Sequence, residues 1–210
     1  HDEDPARPAY SPEGQASAQR SCLASYGGTN NLHRYVIGWL TSLYHMPSLM
    51  SPGARKAGLC GRFGYDVADG LGGGEEDGLP WACPLAFPAP WQTTFLRECT
   101  YDEIPNPMPE GRTTMGAGAC ILLYFHDGSG PLPTQVSASL RIMEGKALKE
   151  VPAFASSPEG PANREKPDNF RCVCLIPKQP LKPLSEFEVD IRYVLDGKNC
   201  RASWRFFTGK

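Results

Sequence analysis

Eight cysteines are the residues of this 210-residue chain whose number and spacing bear most on its chemistry. Their count is even, and no two of them have the C-x-x-C spacing of a zinc pair. Such a set predicts an oxidising compartment and up to four disulfides, whose pairing the sequence leaves open. The alternative is a scattered set of buried thiols, a large number for a reduced protein of this size. The cysteines are Cys22, Cys60, Cys83, Cys99, Cys120, Cys172, Cys174 and Cys200.

A single histidine, His45, comes at the end of a predicted amphipathic helix. Apolar residues within 32–43 recur with the spacing of one helix face, and the Met46-Pro47 pair predicts that the helix stops directly after His45. A lone histidine at a helix C-terminus more often caps the helix than catalyses a reaction. Ser42 lies three residues before His45, so the two side chains are neighbours on one face of the helix. This spacing alone does not indicate a nucleophilic triad.

The composition excludes several classes of protein. The net charge is −2 with acids and bases mixed, so nothing indicates the positive surface of a nucleic-acid-binding protein. No apolar run approaches the roughly 18 residues of a membrane span. The 22 glycines and 21 prolines predict many turns and exclude a helical bundle. The opening HDEDPARPAY resembles the interior of a longer protein, so we expect a segment upstream of His1.

The first half of the chain mixes short helices with extended segments. Ser11, Pro12 and Glu13 have the order of a helix cap, a first helical residue and an acid that offsets the helix dipole. The glycine-rich residues 58–70 predict a strand. Residues 79–110 are rich in proline and aromatic side chains, which predicts extended segments that connect two domains or dock a partner.

The second half has the alternating pattern of a small β-sandwich. Apolar and polar residues alternate in most of its predicted strands, and turn residues lie between them. The pattern places Cys172 and Cys174 on one face of the same strand. Asp196-Gly197 is typical of a tight hairpin turn. The predicted strands are 119–125, 136–143, 170–176, 187–194 and 200–208.

Two stretches resemble the bacterial CAP/SCP-like family of secreted proteins. The run Trp39–His45, followed by Leu49, Pro52 and the glycines of 58–61, is similar to the Trp-x-x-Ser, His-Arg, Pro and Gly-x-Gly pattern of that family. Pro12 to Ala16 falls where the family has a Gly-Glu-Asn motif, although this chain lacks the asparagine, and Met46 replaces the arginine after the histidine. The C-terminal half, which closes on Trp204 to Gly209, resembles the Ig-like domain that follows in large bacterial members.

The resemblance implies a site and a missing element. It implies that His1, Glu13 and His45 form the histidine and glutamate cluster of the CAP cavity, which in this family can hold a divalent metal. Two imidazoles and a carboxylate favour Zn²⁺, which could activate a water molecule. The first helix of the family, which would precede His1, is missing here. We therefore expect a cleaved N-terminal fragment of the same precursor as a partner.

The predicted fold class is α+β, with a partial CAP-like α-β-α sandwich followed by an Ig-like all-β sandwich. We expect a CAP/SCP-like domain at 1–80, which is incomplete at its N-terminus. A connection rich in proline and aromatic residues follows at 81–111, and the Ig-like sandwich occupies 112–210. The function that this favours is a secreted, disulfide-stabilised binding or structural module without catalysis. It would act in an extracellular or cell-surface assembly, with other extracellular proteins as partners. The alternative is a metal-dependent hydrolase that uses His1, Glu13 and His45.

Overall fold

The computed structural model describes residues 4–8, 10–20, 22–25, 32–49, 58–62, 65–69, 84–100, 102–103, 106–109, 112–125, 130–163 and 171–210. The contacts between residues divide the chain into two units. The smaller unit comprises His1–Leu40 and His45–Pro80, and the larger comprises Thr41–Tyr44 and Trp81–Lys210. Among the described residues, no helix has both the length and the apolar character needed to cross a membrane.

The smaller unit contains three helices and one sheet of three antiparallel strands in the order β1-β3-β2. The predicted cap of its first helix is confirmed, because the Ser11 hydroxyl oxygen accepts a hydrogen bond from the Gly14 N–H at 2.9 Å. The elements are α1 (Pro12–Arg20), β1 (Cys22–Ser25), α2 (Leu32–Leu40), α3 (Met46–Leu49), β2 (Gly58–Arg62) and β3 (Tyr65–Asp69).

The helix that was predicted to end at His45 ends earlier. The α2 helix stops at Leu40, and Thr41–Tyr44 form a turn that belongs to the larger unit. The prediction that Met46-Pro47 ends a helix is wrong, because Pro47 lies in the first turn of α3. Proline has no N–H to donate, and the first turn of a helix needs none, so this residue fits the start of a helix as well as its end.

The larger unit is a sandwich of two sheets. The first sheet has the strand order β4-β6-β10-β9, and the second has the order β5-β12-β11-β7-β8. All pairs are antiparallel except β5 with β12, which is parallel. The strands are β4 (Leu85–Phe87), β5 (Thr93–Thr94), β6 (Ile121–Tyr124), β7 (Thr134–Glu144), β8 (Ala147–Glu150), β9 (Ala153–Ser156), β10 (Cys172–Pro177), β11 (Glu186–Leu195) and β12 (Lys198–Thr208).

The core lies between the two sheets and is built from alternate residues of their strands. Phe187 and Phe206 stack within it, with ring centroids 5.3 Å apart, and the Trp204 indole N–H donates to the Pro88 carbonyl at 2.8 Å. This alternation confirms the predicted strand pattern. The buried core residues are Ile121, Leu123, Phe125, Leu140, Ile142, Val173, Leu175, Leu181, Phe187, Val189, Ile191, Tyr193, Trp204 and Phe206.

The predicted hairpin turn at Asp196-Gly197 is also confirmed. Leu195 pairs with Lys198, so the turn has two residues, and both have positive φ angles, 50° and 71°. A two-residue turn with two positive φ angles matches the twist of the strands on either side. The hairpin sets the register of β11 and β12, the longest pair in the sandwich.

The first sheet is buried on both faces. Every residue of β10 is buried, although only Val173 and Leu175 face the core between the sheets. We call the other face of this sheet the outer face. The segment that precedes β6 is held by two main-chain hydrogen bonds. The Ala119 N–H donates to the Arg97 carbonyl at 3.3 Å, and the Cys120 N–H donates to the Thr41 carbonyl at 3.2 Å. These bonds fix the segments around the two carbonyls to the start of β6. The outer face itself is covered, because Cys172, Cys174 and Ile176 of β10 are fully buried there.

The second sheet carries a network of ion pairs on the side away from the core. The Arg201 guanidinium donates two hydrogen bonds to the Asp190 carboxylate, at 3.0 and 2.8 Å. Glu188 lies between Arg141 at 2.6 Å and Arg205 at 3.1 Å. The hydrogen bond from Arg201 is the main reason that the pKa of Asp190 lies below its usual value. Further pairs join Arg205 to Glu186 at 2.7 Å, and Asp190 to Arg141 and Arg192, both at 3.8 Å.

These elements correct the predicted fold class. The described part of the chain is mostly β, with 41% strand and 12% helix, so the prediction of an α+β fold with a CAP-like α-β-α sandwich is wrong. The two longer helices have nine residues each, too few for helical layers on both sides of a sheet. The stretch 81–111, expected as a connection, contributes β4 and β5 to the sandwich.

We predict that Asp190→Asn destabilises the protein by roughly 1 kcal/mol at pH 7, because the variant loses a charge that several arginines share. The folded-state pKa of Asp190 is lowered, so its contribution is present above the unfolded pKa of about 3.9 and is lost as the pH falls below it. Urea unfolding should therefore show a smaller difference between wild type and variant at pH 3 than at pH 7.

Glu150→Gln is the control for this experiment. Glu150 is exposed on β8, two strands away in the same sheet, and forms no ion pair with the described residues. We expect no change in its free energy of unfolding at either pH. An equal loss at both pH values in Asp190→Asn would contradict the electrostatic explanation.

Candidate functional site

The residues predicted to bind a metal are only partly within the described structure. His1 lies outside the described residues. Glu13 is exposed in the first turn of α1, and His45 is half-buried and directly precedes α3 in the chain. Among the described residues, no group of three or more His, Cys, Asp or Glu side chains could hold a metal ion. The site at His1, Glu13 and His45 therefore stays a prediction.

The cysteines fall into two sets. Cys22 lies in β1 and Cys60 in β2, on either side of the central strand β3, and Cys83 lies outside the described residues. Among the described residues of the larger unit, no disulfide joins any two of the other five, Cys99, Cys120, Cys172, Cys174 and Cys200. The predicted disulfides stay a prediction.

Three of these cysteines form a buried cluster on the outer face of the first sheet. The thiols of Cys120 and Cys174 are hydrogen-bonded to each other, and Cys172 lies two residues before Cys174 on the same face. The hydrogen bond to Cys174 and burial raise the pKa of Cys120 well above its usual value, and burial is the largest cause of the raised pKa values of Cys172 and Cys174. These side chains are neutral thiols at pH 7, which are poor nucleophiles and poor metal ligands.

A buried carboxylate, Glu103, completes this cluster. The Leu43 N–H donates to its Oε2 atom at 2.9 Å, and the Tyr44 N–H donates to its Oε1 atom. Only 1% of Glu103 is exposed, and its negative charge contributes to the raised pKa values of all three thiols. The carboxylate thus holds the turn at residues 41–44 against the segment that contains Glu103, on the outer face of the first sheet. This role is structural.

The position of Glu103 is fixed by its own neighbours. Its main-chain N–H donates to the Thr114 hydroxyl at 3.3 Å, and that hydroxyl donates to the Asp102 carboxylate at 3.2 Å. The sequence alone does not reveal this role of Glu103, because the two N–H groups whose hydrogen bonds it accepts lie about 60 residues away in the chain. Its local sequence, a stretch with prolines and no periodic pattern, gives no indication that it is buried.

A different part of the larger unit has the properties of a binding surface. Trp91, Phe95 and Leu184 are 66%, 74% and 70% exposed, although large apolar side chains are usually buried. Phe95 and Leu184 line an open cavity of about 690 Å³ together with Phe207, whose ring lies 6.3 Å from that of Trp91. We call Trp91, Phe95, Leu184 and Phe207 the aromatic edge.

The backbone holds two of these side chains outward at a conformational cost. Trp91 has a φ angle of 65° and Leu184 one of 49°, a left-handed region that bulky residues rarely adopt. The Trp91 N–H donates to the Arg205 carbonyl at 2.7 Å, and the Leu184 N–H to the Gly209 carbonyl at 3.2 Å. Such conformations persist only where the surroundings impose them, and they are concentrated at functional sites.

The aromatic edge borders a strand with an open side. β5 is the last strand of the second sheet, and no other described strand pairs with its far side. Its bonds to β12 use the carbonyls of Gln92 and Thr94, each at 2.8 Å. Because alternate residues of a strand face the same neighbour, the main-chain groups of Thr93 and Phe95 point away from β12. An unpaired row of this kind can pair with another chain.

We predict that Glu103→Ala destabilises the protein by at least about 2 kcal/mol, because two buried N–H groups lose their acceptor. Glu103→Gln keeps one carbonyl oxygen as an acceptor and should give an intermediate loss. Urea unfolding measures both losses. Glu98→Ala, at an exposed position in the same segment, is the control and should change little. Equal stability of Glu103→Ala and Glu98→Ala would contradict the role assigned to Glu103.

Comparisons with known proteins add no family assignment to this geometry. Neither a scan against protein-family models nor a search of curated proteins found a match to this chain. The case for a function therefore rests on the residues described above, and in particular on the contrast between a buried thiol cluster and an exposed aromatic edge.

Proposed function

We propose that this protein is a binding module that captures an extended, apolar segment of a partner protein at the aromatic edge. One observation carries the proposal: three large apolar side chains, each more than 60% exposed, lie beside the open side of β5. Exposed apolar groups of this kind usually mark an interaction site. The edge lies partly in the aromatic stretch 79–110, where the sequence predicted a docking surface or a connection between domains.

The chemistry of the edge favours a strand as the bound element. An incoming strand can bond to the main-chain groups of Thr93 and Phe95, and its own side chains can pack on the exposed rings. The nearest charged side chains around the cavity are Glu186 and Lys210, one of each sign, so charge does not select an acidic or a basic partner. Main-chain pairing supplies affinity in such complexes, and the apolar side chains supply specificity.

The strand order of the larger unit supports an Ig-like assignment for the sandwich. The order β4-β6-β10-β9 corresponds to strands A, B, E and D of an immunoglobulin sandwich, and the order β12-β11-β7 to strands G, F and C. Sandwiches of this architecture serve as binding units in many cell-surface proteins, which is an argument by analogy. The secreted location and the extracellular partners that the sequence predicts are part of this proposal.

The proposal predicts that a displayed library of random peptides yields binders with alternating apolar residues. Their binding should be lost in Phe95→Asp, which places a charge in the apolar surface, and in Thr93→Pro, which removes an outward N–H. Thr93→Pro leaves the pairing of β5 with β12 intact, because that pairing uses Gln92 and Thr94. Fluorescence anisotropy of a labelled peptide measures the affinity, with an expected loss of at least about tenfold for each variant.

The matched control is Leu132→Asp, since Leu132 is a 39% exposed apolar residue outside the aromatic edge. This variant should bind the selected peptide as the wild type does. A library that yields no binders, or binders that tolerate both Phe95→Asp and Thr93→Pro, would overturn the proposal. Self-association that the two edge variants abolish, without any peptide binding, would identify a second copy of the chain as the occupant and would also overturn it.

A further inference from the structure

Two cations converge on one aromatic ring at the edge of the first sheet. The guanidinium carbon of Arg112 lies 5.6 Å from the centroid of the Phe154 ring, and the ammonium nitrogen of Lys178 lies 4.8 Å from the same centroid. Phe154 is in β9 and pairs with Ile176 of β10, so its ring lies on the outer face of the sheet. The ring attracts each cation through its quadrupole, which helps to hold both side chains in place.

The main chain at both cations is held by hydrogen bonds. The Arg112 N–H donates to the Pro109 carbonyl at 3.1 Å, and its own carbonyl accepts a bond from the Asn106 amide at 2.5 Å. The Lys178 N–H donates to the Pro152 carbonyl at 2.9 Å. The main chain is therefore fixed at both residues, and each side chain reaches the Phe154 ring.

Neither cation has an acidic partner among the described residues. The ion pairs of the described residues elsewhere in the larger unit leave out Arg112 and Lys178. This differs from the outer face of the second sheet, where each arginine lies within 4 Å of a carboxylate. Two like charges that share a site repel each other, and an anion between them would remove that repulsion.

The cations line a cleft with a volume of about 620 Å³, which is the size of a small-molecule site. The cleft is open and most of its wall is polar; its apolar part consists of the Phe154 ring, the buried Met108 and the 50% exposed Met115. Thioethers and an aromatic ring suit the apolar part of an organic ligand. The cleft thus combines two positive charges with a smaller apolar patch.

We propose that this cleft binds a small organic anion, whose oxyanion group pairs with Arg112 and Lys178 and whose apolar part packs on Phe154 and Met115. The planar guanidinium of Arg112 can donate two parallel hydrogen bonds to a carboxylate or a phosphate, and Lys178 adds a point charge. The site shares no residue with the aromatic edge, so it does not depend on the binding function proposed for that edge.

Titration with benzoate, phenyl phosphate and neutral benzyl alcohol tests the proposal. The readout is the NMR shift of the methionine methyl groups, of which the chain has five. We expect both anions, but not the alcohol, to shift the Met108 and Met115 signals at concentrations of about 1 mM. The ratio of the two anion affinities shows whether the cleft prefers a carboxylate or a phosphate.

Arg112→Gln and Lys178→Gln should each weaken anion binding about tenfold, because each removes a charged donor. Both residues are exposed, so the variants should fold. Lys198→Gln, at the exposed lysine that begins β12, is the control and should bind as the wild type does. Absence of any shift up to about 10 mM, equal binding of benzyl alcohol, or equal affinity in all three variants would overturn the proposal.

Discussion

The burial of the first sheet on both faces is the constraint on which the rest of the larger unit depends. A sheet with one solvated face needs only alternate apolar residues, whereas all six residues of β10 are buried here. The second layer of cover comes from segments without regular structure, and such segments bring polar main-chain groups that must find partners. Glu103 accepts two of these bonds, which explains why a carboxylate is almost fully buried.

The two sheets therefore present different surfaces. The outer face of the first sheet carries buried, neutral thiols, and its edge carries the cleft of Arg112 and Lys178. The outer face of the second sheet is paired in a continuous ion network, and its edge carries exposed aromatic rings. Both candidate binding surfaces lie at edges, where covering segments and strands end and side chains lack neighbours. The residues at the centre of each face therefore stabilise the fold and take no part in the proposed binding.

Local patterns in the sequence predicted the elements that depend on local physics. Alternation identified β7 and β11, and Asp196-Gly197 identified the hairpin, because both follow from backbone geometry over a few residues. The prediction of an α-β-α sandwich was wrong because it relied on short motifs around Trp39, whereas the helices there are too short to form such layers. Glu103 could not be found, since its role depends on partners that only the folded chain brings near. The convergence of Arg112 and Lys178 on the Phe154 ring could not be predicted either, because it also depends on residues that are distant in the sequence.

Thiol labelling of the folded protein tests most directly whether the first sheet is buried on both faces. With iodoacetamide and mass spectrometry, we expect the half-buried Cys200 to be labelled in the native state before the buried Cys120, Cys172 and Cys174. Cys120, Cys172 and Cys174 should be labelled only at the rate of global unfolding, and fully in urea without a reductant. Labelling of these three as fast as Cys200 in the folded protein would contradict the covered face. Failure to label them in urea would show disulfides in place of the thiol cluster.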